Sequence, residues 1–334
     1  MIFGKKIKAA ALCAAAIMSF GLLAGCGSDK AADNSGDKQY KIGIVQLVEH
    51  DALDAANKGF VDGLKERGFE EGKNLVIDQQ NAQADQSNLQ NIGQRFVNDK
   101  VDLIYAIATP AAQTVANLTK DIPIVASAIT DYEGAKLIKS NNEPGGNLTG
   151  TSDMNPIKEQ IDLLLKITPN AKTIGCIYTS SEANSEIQFK AMKEYAESKG
   201  LKVESATISN VNDIQQAAHS LVGSVQAVYI PTDNVLASAI PTLISVTDEA
   251  KLPVICGEGG MVRAGGLATL GVDYYKLGFQ TGVMAADILS GKAKPAEMAI
   301  QAQKDFKPVI NMKSAAKIGL TVPEELLKDA EVIK

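Results

Sequence analysis

The sequence contains no tryptophan, and aromatic residues make up only 5% of it. Sugar sites often rely on aromatic stacking, so this scarcity leans away from a carbohydrate ligand. Histidine occurs only at positions 50 and 219, and cysteine only at 13, 26, 176 and 256. No CxxC pair or metal-ligand spacing is present, so neither a metal nor a cofactor is expected. GxSxG and HExxH are also missing, which removes the usual signatures of a serine hydrolase or a zinc protease. Basic residues are outnumbered 33 to 39, for a formal net charge of −6. A nucleic-acid surface needs clustered Lys and Arg, so nucleic acid is not an expected partner.

What remains is a chain of 334 residues, 45% hydrophobic and 22% charged, long enough for two soluble domains. Residues 1–25 read as a leader. Lys5, Lys6 and Lys8 precede the apolar run Ala9 to Ala24, which is too short and Ala-rich for a comfortable membrane span. The run ends in Leu23-Ala24-Gly25-Cys26, similar to the lipobox of bacterial lipoprotein signals, which implies cleavage before Cys26 and lipidation of its sulfur. Acyl chains bury about 0.8 kcal/mol per CH₂, enough for a multiply acylated Cys26 to anchor the chain outside the cytoplasm. Residues 26–39 continue as a small, polar tether with an r.m.s. span of roughly 20 Å. Cys176 and Cys256 fall inside apolar, strand-like runs and read as buried thiols, because neighbouring core strands rarely offer bridging geometry.

After the tether, apolar strand patterns alternate with helical ones. Strands are expected at Tyr40–Val48, Leu75–Asp78, Val101–Ala108 and Ile122–Ala126. Helices fall between them, the third opening at Pro110 with Thr109 as its N-cap. The order then restarts. Lys172–Tyr178 answers Lys41–Val45, Val225–Ile230 answers Val101–Ala106, and Leu252-Pro253-Val254-Ile255 answers Ile122-Pro123-Ile124-Val125. This predicts an α/β fold of two doubly wound, parallel-sheet lobes. The first lobe is expected to hold residues 40–150 plus about 273–300. The second takes 151–272 plus about 301–334. Between the copies lies the Gly/Asn/Pro-rich seam Pro144–Pro156. It reads as the first of several crossings, with glycines that tolerate hinge motion.

Ligands in open α/β sheets sit beyond the carboxyl ends of the strands. The residues placed there are Gln46, His50, Thr109 and Asp131 in the first lobe. In the second they are Ser180, Glu182, Asn184, Asp233 and Glu258, with Ser152 and Asp273 at crossings. Asp153 and Asn234 belong to the same rim. Hydroxyls, amides and carboxylates dominate. Helix N–H groups after Thr109 or Ser180 could take a carboxylate, and Asp131, Asp233, Glu182 or Asp273 an ammonium. An amino acid fits both. Each of these residues could equally be a helix cap. His50 reads either as a cleft-lining donor or as a solvent-facing loop residue. Tyr178, Tyr274 and Tyr275 could each supply a stacking face or pack the lobe junction.

The stretches IVQLVEHDALD, YAIATPAAQ, IVASAITD, GGNLTGTSD, YTSSEANS, YIPTDN, GGLATLGVDYYKLGFQTG and PEELL carry a family likeness over most of the chain after Tyr40. They resemble the ABC-transporter substrate-binding lipoproteins of the type I periplasmic-binding-protein fold, in the branch linked with tryptophan and tyrosine uptake. Asp51 stands where that branch more often has Pro. The resemblance implies a three-crossing hinge, capture of an aromatic amino acid between the lobes, and delivery to an ABC permease and its ATPase. It implies a monomer that performs no catalytic step. A sensor of the same fold feeding a membrane receptor is the alternative, as is a different solute such as a nucleoside or sugar.

Overall fold

The computed structural model describes residues 38–334. The leader, Cys26 and most of the tether lie outside the described residues. The first strands are β1 (Tyr40–Gln46), β2 (Leu75–Asn81), β3 (Leu103–Ile107), β4 (Ile124–Ile129) and β5 (Leu148–Ser152), mostly buried apart from the edge strand β2. Helices α1 (Asp51–Glu66), α2 (Gln86–Asn98) and α3 (Thr109–Leu118) connect them. After α4 (Ile157–Ile167) the second set runs β6 (Thr173–Thr179), α5 (Ala183–Ser198), β7 (Lys202–Ile208), α6 (Ile214–Leu221) and β8 (Ala227–Ile230). It continues through α7 (Asn234–Ser238), α8 (Ile240–Glu249), β9 (Val254–Cys256), α9 (Gly259–Arg263) and β10 (Ala268–Gly271). The closing elements are α10 (Tyr274–Leu289), β11 (Gln301–Ala302), β12 (Lys307–Asn311), α11 (Met312–Ile318) and β13 (Glu331–Ile333).

Two sheets result, ordered β11-β5-β4-β3-β1-β2 and β13-β12-β10-β9-β8-β6-β7. The repeat seen in the sequence reappears as topology: β2-β1-β3-β4-β5 in one lobe matches β7-β6-β8-β9-β10 in the other. In each, the strand order reverses between the first and third strands of the copy, and that switch point opens a crevice at the strand ends. The parallel expectation fails at one pairing, and β13, parallel to β12, shares the reversed direction. β12 runs antiparallel to β10. It is reached by a direct link from the other lobe, so no helical crossover forces it parallel.

Three links join the lobes, at 153–156, 272–273 and 303–306. They are laced together: Val272 N donates to Asn155 Oδ1 at 3.2 Å, and Gln303 Nε2 donates to the Asp273 carbonyl at 2.6 Å. The seam's glycines do not supply this hinge. Gly150 sits inside β5, where a Cβ would lie 1.9 Å from the Ala126 carbonyl oxygen. Its φ of 155° and missing side chain serve close packing in the first sheet.

α10 is bound to the first lobe by an unusually close helix pair. A Cβ on Gly278 would fall 1.8 Å from the Ala56 carbonyl oxygen, and one on Gly59 would fall 2.0 Å from that of Tyr275. Gly63 and Gly282 repeat the arrangement one turn on. Beneath it, Phe60 stacks on Tyr105 at a centroid distance of 3.8 Å. Cys176 and Cys256 are free and buried, and burial pushes both thiols well above their ordinary range.

Candidate functional site

The lobes meet at their strand ends. His50, between β1 and α1, approaches Asn234 at the start of α7, with Nε2 3.3 Å from Oδ1. Thr130, after β4, lies 3.4 Å from Thr232, after β8, and Gln188 of α5 donates to Thr130 at 3.3 Å. These contacts border a narrow cavity between the lobes.

Its polar wall is His50, Asp153, Asn184, Thr232, Asp233, Asn234 and Glu258; its apolar wall is Leu53, Ala128, Ala237, Met261 and Tyr274. Ala128 has a φ of 57°, and neighbouring Ala108 at the end of β3 has 86°. Non-glycine residues held there cost of order 1–3 kcal/mol each, a strain that concentrates at ligand sites.

Most of the carboxylates are already engaged. Asp233 caps α7 through Leu236 N and accepts from Thr179 N and Oγ1 at 2.6 and 2.7 Å. Glu182, just behind the wall, accepts from Val235 N at 3.1 Å and from the side-chain amides of Asn184 and Asn234. Glu258 caps α9 through Gly260 N and Met261 N. Burial pushes Glu182 up, helped by the charge of Asp233, and Glu258 up to about 7. It raises Asp233 and Asp153 as well, and lowers His50.

Three lining atoms have no hydrogen-bond partner among the described residues: His50 Nδ1, Asp153 Oδ1 and Asn184 Oδ1. Asp153 and Asn184 are each 3% exposed. Asp153 Oδ2 is held by the Tyr274 hydroxyl at 2.6 Å, which leaves Oδ1 without a partner. Asn184 Nδ2 donates to the Thr232 carbonyl at 2.9 Å, which fixes its Oδ1 as the free end.

Of the residues singled out from sequence, His50, Asp153, Asn184, Asp233, Asn234 and Glu258 line the cavity. The others sit elsewhere. Gln46 donates to Val48 O and Asp54, beside an outer groove of the first lobe. Thr109 is the first residue of α3, not its N-cap; Ala108 holds that position with no side-chain bond to give. Asp131 accepts from Gly134 N in a turn, Ser152 donates to the Thr130 carbonyl, and exposed Ser180 donates to that of Ile208. Asp273 caps α10 and faces a separate recess behind Glu258 and Tyr274. Leu53, Ala128, Ala237 and Met261 carried no polar signal in the sequence. Leu53 lies one helical turn after His50, which was the available clue. Tyr274 both packs the junction and lines the cavity.

A family model described as ABC transporter substrate binding protein matches residues 41–334. The chain belongs to that family. Substrate-binding proteins of this kind are extracytoplasmic and hand solute to a permease. This one is 44% identical over 300 residues to a tyrosine-binding protein of Clostridioides difficile, covering 88% of this chain and 86% of that one. It is 41% identical, with a TM-score of 0.86, to a Streptococcus domain solved in complex with L-Trp, covering 89% of this chain and all of that one. A ligand-free, open substrate-binding protein from Clostridium difficile is 43% identical but superposes with a TM-score of only 0.68, covering 88% of this chain and 99% of that one. The chain therefore superposes better on the L-Trp complex than on the open structure, at nearly equal sequence identity. Both lobes here carry the type I periplasmic-binding fold. The contacts from His50 to Asn234 and from Thr130 to Thr232 bring the two lobes together. No described helix is long and apolar enough to cross a membrane.

Proposed function

We propose that this substrate-binding protein captures an aromatic amino acid between its lobes. The observation that carries the reading is the pair of buried, unpartnered acceptors Asp153 Oδ1 and Asn184 Oδ1 opposite an apolar wall of Leu53, Met261 and Tyr274. An ammonium satisfies the acceptors with charge-assisted hydrogen bonds, and a ring fills the apolar side. Asp153 takes the counter-charge role in this reading, because Asp233 and Glu182 are spent on the start of α7. No Lys or Arg lines the cavity. The ligand carboxylate therefore falls to neutral donors. The buried Thr109 hydroxyl at the start of α3, outside the cavity lining, has no partner among the described residues and is one candidate donor. Tyrosine and tryptophan, the ligands named for the two relatives, both have an ammonium, an apolar ring and a polar ring atom. The lipobox supports attachment through Cys26, read as a mass increment on that residue, with the chain working as a monomer.

A thermal-shift screen of the full chain across amino acids, nucleosides and sugars tests this. One or more aromatic amino acids should stabilise the protein, by about 2.7 kcal/mol at 100-fold excess over Kd, while sugars and nucleosides do nothing. A shift with a nucleoside or sugar alone would replace the reading.

A further inference from the structure

We infer that His50 is a specificity residue whose Nδ1 accepts a hydrogen bond from the ring of the ligand, so that the solute must carry a ring donor such as a phenol O–H or an indole N–H. The inference rests on the aromatic amino acid reading above.

The argument is one of donor and acceptor identity. The structure places Asn234 Nδ2 on Glu182 Oε2 and its Oδ1 toward His50. A carbonyl oxygen only accepts, which makes His50 Nε2 the donor in that contact. Burial disfavours the imidazolium. In the neutral ring with a proton on Nε2, Nδ1 is a lone-pair acceptor. It is buried and has no partner among the described residues. The unpartnered nitrogen is thus an acceptor, the reverse of the donor role read from sequence.

Position separates this acceptor from the ammonium seat. Asp153 belongs to the first crossing, tied to Tyr274, and Asn184 to the start of α5 in the second lobe. His50 stands at the start of α1 in the first lobe, with Leu53 one turn further along and also in the cavity wall. A ring packed on Leu53 brings its edge beside His50, while its backbone end reaches Asp153 and Asn184. A ring without a donor leaves Nδ1 buried and unpaired, and a site built to pair a group rejects the analogue that lacks it.

Titration calorimetry of the full chain with L-Tyr, L-Trp, L-Phe and L-Leu tests the inference without altering the protein. L-Phe should bind roughly 10- to 100-fold more weakly than the better of L-Tyr and L-Trp. In His50→Leu the order should change: affinity for L-Tyr and L-Trp falls, and that for L-Phe is kept or rises. If L-Phe matches L-Tyr and L-Trp in the unaltered protein, Nδ1 serves the ammonium instead, and the inference is overturned while the aromatic reading stands. An equal loss for all three ligands in His50→Leu overturns it in the same way. If no aromatic amino acid binds, both fall.

Discussion

A buried carboxyl without a cation must keep its proton or find N–H donors, and the cleft uses both solutions. Glu258, 3% exposed, accepts from two backbone N–H groups and still sits at about 7 because burial outweighs them. A carboxyl whose folded value is raised holds its proton more tightly folded than unfolded. Its stabilisation is complete below its ordinary 4.5 and is lost as pH rises through about 7. His50 works in the opposite direction, since its lowered value removes stability as pH falls through it. Melting temperatures of the ligand-free protein should therefore decline between about pH 5 and pH 8. Glu258→Gln, which cannot ionise, should flatten that decline; an unchanged slope would mean that Glu258 is already ionised across the range. The sequence announced these carboxylates, because Asp and Glu after strands are conspicuous. It did not announce which of them were spent as caps. Asp233 and Asp273 look alike in the sequence, each at a helix start, yet one lines the cavity and the other a separate recess. The difference depends on where three remote crossings place them.

Among the elements, the α1–α10 pair is where backbone geometry rather than side-chain chemistry decides the packing. Alanine at Gly278 would gain about 1 kcal/mol in helix preference. Its Cβ would meet the Ala56 carbonyl at 1.8 Å, and no side-chain rotation relieves a clash with backbone. Overpacking of this kind costs ~1–3 kcal/mol, so Gly278→Ala should lower stability in a denaturant titration. Gly146→Ala is the control, because nothing lies within 4 Å of its Cβ, and it should be near neutral. Equal effects would remove the close-packing explanation. The helices themselves were legible from apolar spacing, as were the central strands, whose β-branched runs are buried on both faces. Short or solvent-edge elements were not: β11 has two residues and β13 three, too few for any period to register. The glycine seam was hidden for a different reason. Gly59 and Gly63 on α1 acquire meaning only beside Gly278 and Gly282, more than two hundred residues away.

Closure of the whole molecule depends on surfaces that meet only when the lobes do. Asp51 opens α1 in the first lobe; Gly260 lies on α9 in the second. A Cβ on Gly260 would fall 2.9 Å from the Cβ of Asp51. No sequence pattern could pair these residues, because their proximity exists in one lobe arrangement only. Gly260→Ala should leave each lobe intact, and alanine is the better helix former by about 1 kcal/mol. It should nevertheless act as a wedge in the closed state. A clash of ~1–3 kcal/mol shifts the population toward the open form and weakens ligand binding roughly 5- to 100-fold. The same Cβ also crowds the Glu258 carboxylate, at 2.9 Å, so affinity loss alone would not identify the cause. Adding Asp51→Gly removes the partner across the cleft and leaves the contact between the new Cβ and the Glu258 carboxylate in place. If lobe contact is the obstacle, the double variant recovers affinity, and small-angle scattering of the liganded protein returns to the compact form. If Glu258 is the obstacle, Asp51→Gly rescues neither, and the closure argument at this rim fails.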